Sequence, residues 1–226
     1  AADSAVMVVD AAKGVEDQTR KLFHVCSLRE MPIFTFINKM DREAQDPFQL
    51  LEDIESELGI KTYPMNWPIG SGKEFKGVYD RKNERIIAFN GGNHGATEVE
   101  AIEGSVDDER FREILGSALH DKLMEDIELL DIAGDEFDVE KVRTGELTPV
   151  FFGSALTNFG VEPFLENFLE MTTSPLPRQS NIGEIDVFDE NFSAFVFKIQ
   201  ANMNKAHRDR IAFMRICSGK FQKGLE

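Results

Sequence analysis

Four consecutive residues, Asn38-Lys39-Met40-Asp41, carry the side chains with the clearest chemical use in this chain of 226 residues. An ionised Asp41 can accept two hydrogen bonds at once from adjacent N–H groups on a purine edge. Guanine offers such a pair, its ring N1–H and its exocyclic N2–H. Adenine does not, and would leave a partly buried carboxylate unpaired, a costly mismatch. Asn38 can use its amide to meet the purine and to tie neighbouring loops together. The aliphatic stem of Lys39 can cover the flat face of the base, with its ammonium near the sugar. The same four letters also suit a plain polar turn, so their setting decides.

A second stretch, Gly153-Ser154-Ala155-Leu156, is the expected partner. Small residues let the backbone approach a ligand closely, and the N–H of Ala155 could donate to guanine O6. The expected nucleotide-contacting set is therefore Asn38, Lys39, Asp41, Ser154, Ala155 and Leu156. No residue qualifies as a catalytic acid, base or nucleophile; Asp10, Lys13 and Gln18 stand near the right loop and read as structural. The four histidines (His24, His94, His120, His207) show no metal-ligand spacing, so no metal site is expected. Two distant thiols, Cys26 and Cys217, suit a reducing cytosol.

Both stretches need strands to present them. Residues 4–10 and 32–37 are short, continuously apolar runs, the mark of parallel strands buried on both faces. Helical spacing over 16–30 brings Thr19, Leu22, Val25, Cys26 and Arg29 to one face. A second helix starts at Asp46 as N-cap with Pro47 in the first turn and Gln49 able to reach back. Leu50, Leu51, Ile54 and Leu58 form its stripe, and Gly59 ends it. Strand, helix, strand, helix predicts an α/β sheet with right-handed crossovers. Glycine-punctuated hairpin strands follow, including residues 85–89, then a loop at Gly91-Gly92-Asn93-His94-Gly95. Helices are expected over 107–132, with a break near Gly116, and over 135–143. Residues 148–152 return to the buried-strand pattern, and a helix over 161–171 turns Val161, Phe164, Leu165 and Phe168 inward. The expected organisation is core 1–60, an inserted α+β subdomain 61–147, core again 148–174, a stiff linker 175–190, and strands opening a further domain from 191.

Composition excludes some classes. The longest apolar runs are far too short to cross a bilayer as helices, and 19 Phe argue against general disorder. The net charge of −16 is concentrated: residues 97–140 hold 16 acidic and 3 basic side chains, whereas 196–226 hold 7 basic and 2 acidic. The basic end, with Lys198, Lys205, His207, Arg208, Arg210, Arg215, Lys220 and Lys223, leaves open a non-catalytic module touching RNA phosphates.

Residues 38–41 and 154–156 resemble the two guanine-recognition motifs of translational GTPases. Val8-Val9-Asp10-Ala11, Gly14-Val15 and Gln18-Thr19 resemble the strand and helix start that follow their DxxG switch. A closer resemblance, to class II peptide chain release factors, rests on Asn66-Trp67-Pro68-Ile69-Gly70, Phe75-Lys76-Gly77-Val78-Tyr79, the run from Thr148 to Leu156, Asn158-Phe159-Gly160-Val161, Phe195-Val196-Phe197-Lys198-Ile199-Gln200-Ala201-Asn202-Met203 and His207-Arg208-Asp209-Arg210-Ile211-Ala212-Phe213-Met214-Arg215. The resemblance implies an α/β fold: the C-terminal half of a P-loop-type GTPase domain, with a parallel sheet, flanking helices and an α+β insertion, then the first strands of a β-barrel. It implies GTP/GDP as ligand, the ribosome and class I release factors as partners, and a bacterial cytoplasmic setting. Elongation factor G, with translocation, and ribosomal protection proteins are the related alternatives.

The phosphate-loop pattern GxxxxGK[ST] does not occur. Ser71-Gly72-Lys73-Glu74 imitates it with Glu where Ser or Thr is required, and reads as a hairpin turn. The chain is therefore expected to be truncated at both ends, to need Mg²⁺ only in the intact protein, and to be inactive alone. Residues 4–10 are then expected to form an exposed edge strand prone to self-association.

Overall fold

The computed structural model describes residues 1–88, 101–201 and 210–224, with the backbone alone for 101–103. Phe89, the loop at 91–95, Asn202, Met203, Lys205, His207, Arg208 and Asp209 lie outside these. Two units result, one of Ser4–Thr172 and one of Ala1–Asp3 with Thr173–Glu226.

The larger unit is built on a parallel sheet of β1 (Ala5–Asp10), β2 (Ile33–Asn38), β8 (Leu147–Phe152) and β3 (Lys61–Pro64), in the order β1-β2-β8-β3. β2 and β8 are central and covered on both faces, which is why their sequences are apolar without alternation. Ile33 and Ile37 join one hydrophobic cluster with α2 (Pro47–Leu58), while Phe34 and Phe36 join another with α6 (Val161–Met171). Lys61–Pro64, which the glycine-rich grammar assigns to the insertion, is thus a strand of the main sheet.

Local chemistry explains the helices. Asp46 Oδ1 accepts from the N–H groups of Phe48 and Gln49, and Gly59 closes α2 in the left-handed region at φ 71°. Gln49 does not reach back to complete a capping box. Its Nε2 donates to Asp53 Oδ1 at 2.9 Å, the i,i+4 neighbour on the same face. Leu50, Leu51 and Ile54 are buried, with Leu58 at the margin. In α6, Phe164 and Phe168 meet Phe34, Phe36 and Phe151 mostly edge to face. Leu165, expected inward, is 49% exposed; Asn167 and Met171 take the inner positions, completing the i, i+3, i+7 face set by Phe164.

Helix α1 (Asp17–Ser27) has no buried residue. Phe23 and Cys26 pack against the cluster, whereas Leu22 and Val25 are exposed. β1 is the sheet's edge among the described strands, and Val6 and Val8 are exposed on it.

The insertion carries an antiparallel sheet, β4 (Asn66–Ile69), β5 (Gly77–Asp80), β6 (Arg85–Ala88) and β7 (Ala101–Glu103). Helices α3 (Glu109–Leu115) and α4 (Ser117–Ala133) are separated at Gly116, and α5 (Val139–Arg143) precedes β8. Trp67, Ile69, Val78, Phe111, Leu123 and Ile127 belong to the same cluster as α2, so the insertion shares the main core. Gly72–Glu74 is a turn between β4 and β5.

The smaller unit holds two antiparallel pairs, β9 (Arg178–Ser180) with β10 (Gly183–Ile185) and β11 (Ser193–Ala201) with β12 (Arg210–Ser218). The expected linker therefore contains a short strand pair. Asp3 sits between the guanidinium groups of Arg178 and Arg215.

The central strands also share one polar contact, Thr35 Oγ1 to Thr148 Oγ1 at 2.8 Å, with both residues fully buried. Thr35→Val or Thr148→Val alone leaves one hydroxyl unpaired and should cost about 1–3 kcal/mol. The double variant should lie close to the parent, because both polar groups are removed together. Urea unfolding of the four proteins measures this.

Candidate functional site

β2 and β8 run side by side in one direction, with Ile37 opposite Phe152. Asn38 and Gly153 therefore leave the sheet together at the carboxyl edge, where open α/β sheets place ligands. Two backbone bonds prolong the join: Gly153 N–H donates to Ile37 O at 3.0 Å, and Met40 N–H donates to Gly153 O at 3.1 Å. Gly153 must lack a side chain. A Cβ there would stand 2.6 Å from Phe159 O and 2.8 Å from Phe36 Cζ.

Asn38 Oδ1 accepts from the N–H of Lys39 and from the N–H of Ala155, each at 2.8 Å. One carboxamide thus links the two loops. The Ala155 N–H, expected to face guanine O6, is engaged by Asn38, which keeps its two Nδ2 hydrogens as further donors. Lys39 adopts the left-handed region at φ 75°, a sparsely used conformation for a residue with a Cβ. Its Nζ donates to Asp10 Oδ2 at 2.6 Å. Asp10 closes β1, and its Oδ1 accepts from Ala12 N–H at 2.9 Å. The lysine hydrogen bond holds the Asp10 carboxyl below its ordinary pKa; burial opposes this and the Ala12 N–H adds to it. Asp10 thus fixes the direction of the Lys39 stem.

Asp41 Oδ1 is enclosed and has no hydrogen-bond partner. Ser154 is buried, and its Oγ is also without a partner. Such atoms normally find donors or acceptors, and a ligand edge rich in N–H groups would supply Asp41 with them. Ser154 and Phe159 exchange both backbone bonds, at 3.0 and 2.9 Å, and close a tight loop that leaves Ala155 and Leu156 exposed. An unpartnered carboxylate oxygen is compatible in type with the N–H edge of a guanine base. Among the described residues no group of three or more His, Cys, Asp or Glu could hold a metal ion.

Sequence reasoning missed Asn66. Its buried carboxamide bonds both backbone groups of Phe152, the residue before the second loop. The available signal was an Asn inside the apolar run Met65-Asn66-Trp67-Pro68-Ile69.

The profile of the elongation factor Tu GTP-binding domain matches residues 1–174. The chain belongs to that family. Residues 191–226 match the profile of elongation factor G domain 2. Over its whole length the chain is 57% identical to peptide chain release factor 3 of Symbiobacterium thermophilum, covering 43% of that protein. It is 53% identical to the protein of that name from Trichodesmium erythraeum, covering 42% of it. The chain thus spans less than half the length of these relatives. No helix among the described residues is long and apolar enough to cross a membrane.

Asn38→Ala should release the Ala155 N–H and raise amide exchange at residues 154–156, with a stability loss of about 1–2 kcal/mol. The lowered pKa of Asp10 stabilises the fold above its ordinary value of 3.8, and this contribution disappears as pH falls through the depressed value. Asp10→Asn should therefore flatten the acid limb of a stability–pH curve and leave the region above pH 7 without slope from this site.

Proposed function

We propose that this chain carries the guanine-reading part of a GTP-binding translation termination factor. In that reading it works on the ribosome in the bacterial cytoplasm, and the complete factor hydrolyses GTP with Mg²⁺ to release class I peptide chain release factors. The observation that supports this reading is the Asn38 Oδ1 bridge, which ties Ala155 to the loop that carries Asp41. Identity of 57% to a peptide chain release factor 3 over every residue favours termination over translocation. Lys39 covers the base face, Asp41 takes the N1–H and N2–H pair, and Ser154, Ala155 and Leu156 form the opposite wall. Phosphate chemistry is assigned to no residue here, because GxxxxGK[ST] does not occur in the sequence.

Asp41→Asn exchanges an acceptor pair for one acceptor and one donor, which suits xanthine instead of guanine. In the longest natural polypeptide containing these residues, the variant should lose GDP affinity about a hundredfold and gain affinity for xanthosine diphosphate, read by competition with a fluorescent nucleotide. Equal binding of GDP and ADP by the parent would refute the reading. The isolated 226 residues should release no phosphate from GTP above background.

Exposed Val6 and Val8 on the β1 edge support pairing of this strand with a second copy of the 226-residue chain. Sedimentation velocity should show concentration-dependent association that Val8→Lys removes.

A further inference from the structure

The last residue of β8 before the second loop has an unusual neighbour. On one side β8 continues against β2, and Gly153 N–H reaches Ile37 O. On the other side the ladder with β3 stops at Pro64 opposite Val150, closed by Met65 N–H donating to Val150 O at 2.8 Å. The chain then turns away into β4. Phe152 would be left with a buried N–H and C=O and no strand to pair with, a costly arrangement. The side chain of Asn66 takes both. Its Oδ1 accepts from Phe152 N–H at 2.7 Å, and its Nδ2 donates to Phe152 O at 3.1 Å. Asn66 is 4% exposed, so this pair is shielded from water.

The next residue extends the link. The Trp67 ring meets the Phe152 ring edge to face at 5.6 Å, and Trp67 Nε1–H donates to Asp126 Oδ2 at 3.0 Å. Asp126 lies on α4 of the insertion and also accepts from Lys122 Nζ at 3.2 Å. A continuous set of contacts therefore runs from α4 through β4 to the root of the loop holding Ser154 and Ala155.

We propose that Asn66 is a positioning residue for the purine-reading loop: its carboxamide replaces the absent strand beside Phe152 and makes the order of that loop depend on the insertion. The consequence rests on the guanine reading above. Opening the insertion loosens the loop root, and bound guanine nucleotide leaves faster. The insertion is in this way a regulator of nucleotide release and not only an added surface.

Native-state hydrogen exchange on the unaltered protein tests the coupling first. In mild denaturant the Phe152 amide, whose N–H is accepted by Asn66, should open together with those of β5 and β6. Opening together with β2 instead overturns the proposal. In the longest natural polypeptide carrying these residues, Asn66→Ala should raise exchange at 152–156 by about tenfold, on the scale of one buried hydrogen bond. It should also speed GDP dissociation by a similar factor while leaving association unchanged. Val78→Ala, which removes methyl groups from the same insertion and no hydrogen bond, supplies the comparison at matched loss of melting temperature. Loop exchange or GDP release no greater than in Val78→Ala overturns the positioning role. Exchange is read without nucleotide, so that arm stands apart from the guanine reading, whose own failure is detected by Asp41→Asn.

Discussion

Oδ1 of Asn38 holds two peptide N–H groups, one from the next residue and one from Ala155, 117 positions away. Both loops of the site depend on that oxygen. It can act only because β2 and β8 are adjacent, parallel and aligned at Ile37 and Phe152. A slip of one residue would turn Asn38 to the opposite face of the sheet and separate the loops. The apolar faces on either side prevent such a slip, since Ile33 and Ile37 belong to one cluster and Phe34 and Phe36 to the other.

The polar groups around this register are arranged to leave specific gaps. Lys39 is held by Asp10, Asn38 by two N–H groups, and Phe152 by Asn66. Asp41 Oδ1 and Ser154 Oγ stay without partners in the same region. An unmatched carboxylate oxygen at the carboxyl edge of a parallel sheet is the feature on which the proposed guanine reading rests. The positive φ of Lys39 belongs to the same pattern, because strained backbone concentrates where a side chain must be aimed.

The insertion is joined to this arrangement by packing as well as by sequence. Trp67 lies against Phe48 of α2 and Phe152 of β8, and its indole nitrogen reaches Asp126. One hydrophobic cluster therefore includes the main sheet and the added sheet. Close-packed cores transmit displacement because they have few voids to absorb it.

Much of the fold is local and was legible in the residues. Continuous apolar runs named the central strands, Asp46 and Gly59 bounded α2, and Gly116 divided α3 from α4. Those signals act within one turn or one strand, so the chain order suffices to read them. The expected capping role of Gln49 and inward turn of Leu165 differ in the fold because a neighbouring acceptor and the facing Phe residues outweighed a local preference. The sequence by itself determined which residues are candidates for the proposed purine contact and that parallel strands present them. Only tertiary structure decided that Ala155 N–H bonds to Asn38, that Lys39 leans on Asp10, and that Asn66 bonds the backbone of Phe152, 86 residues away in the chain. Those bonds depend on the register and direction of strands brought together over long loops, which no pattern within a single segment encodes.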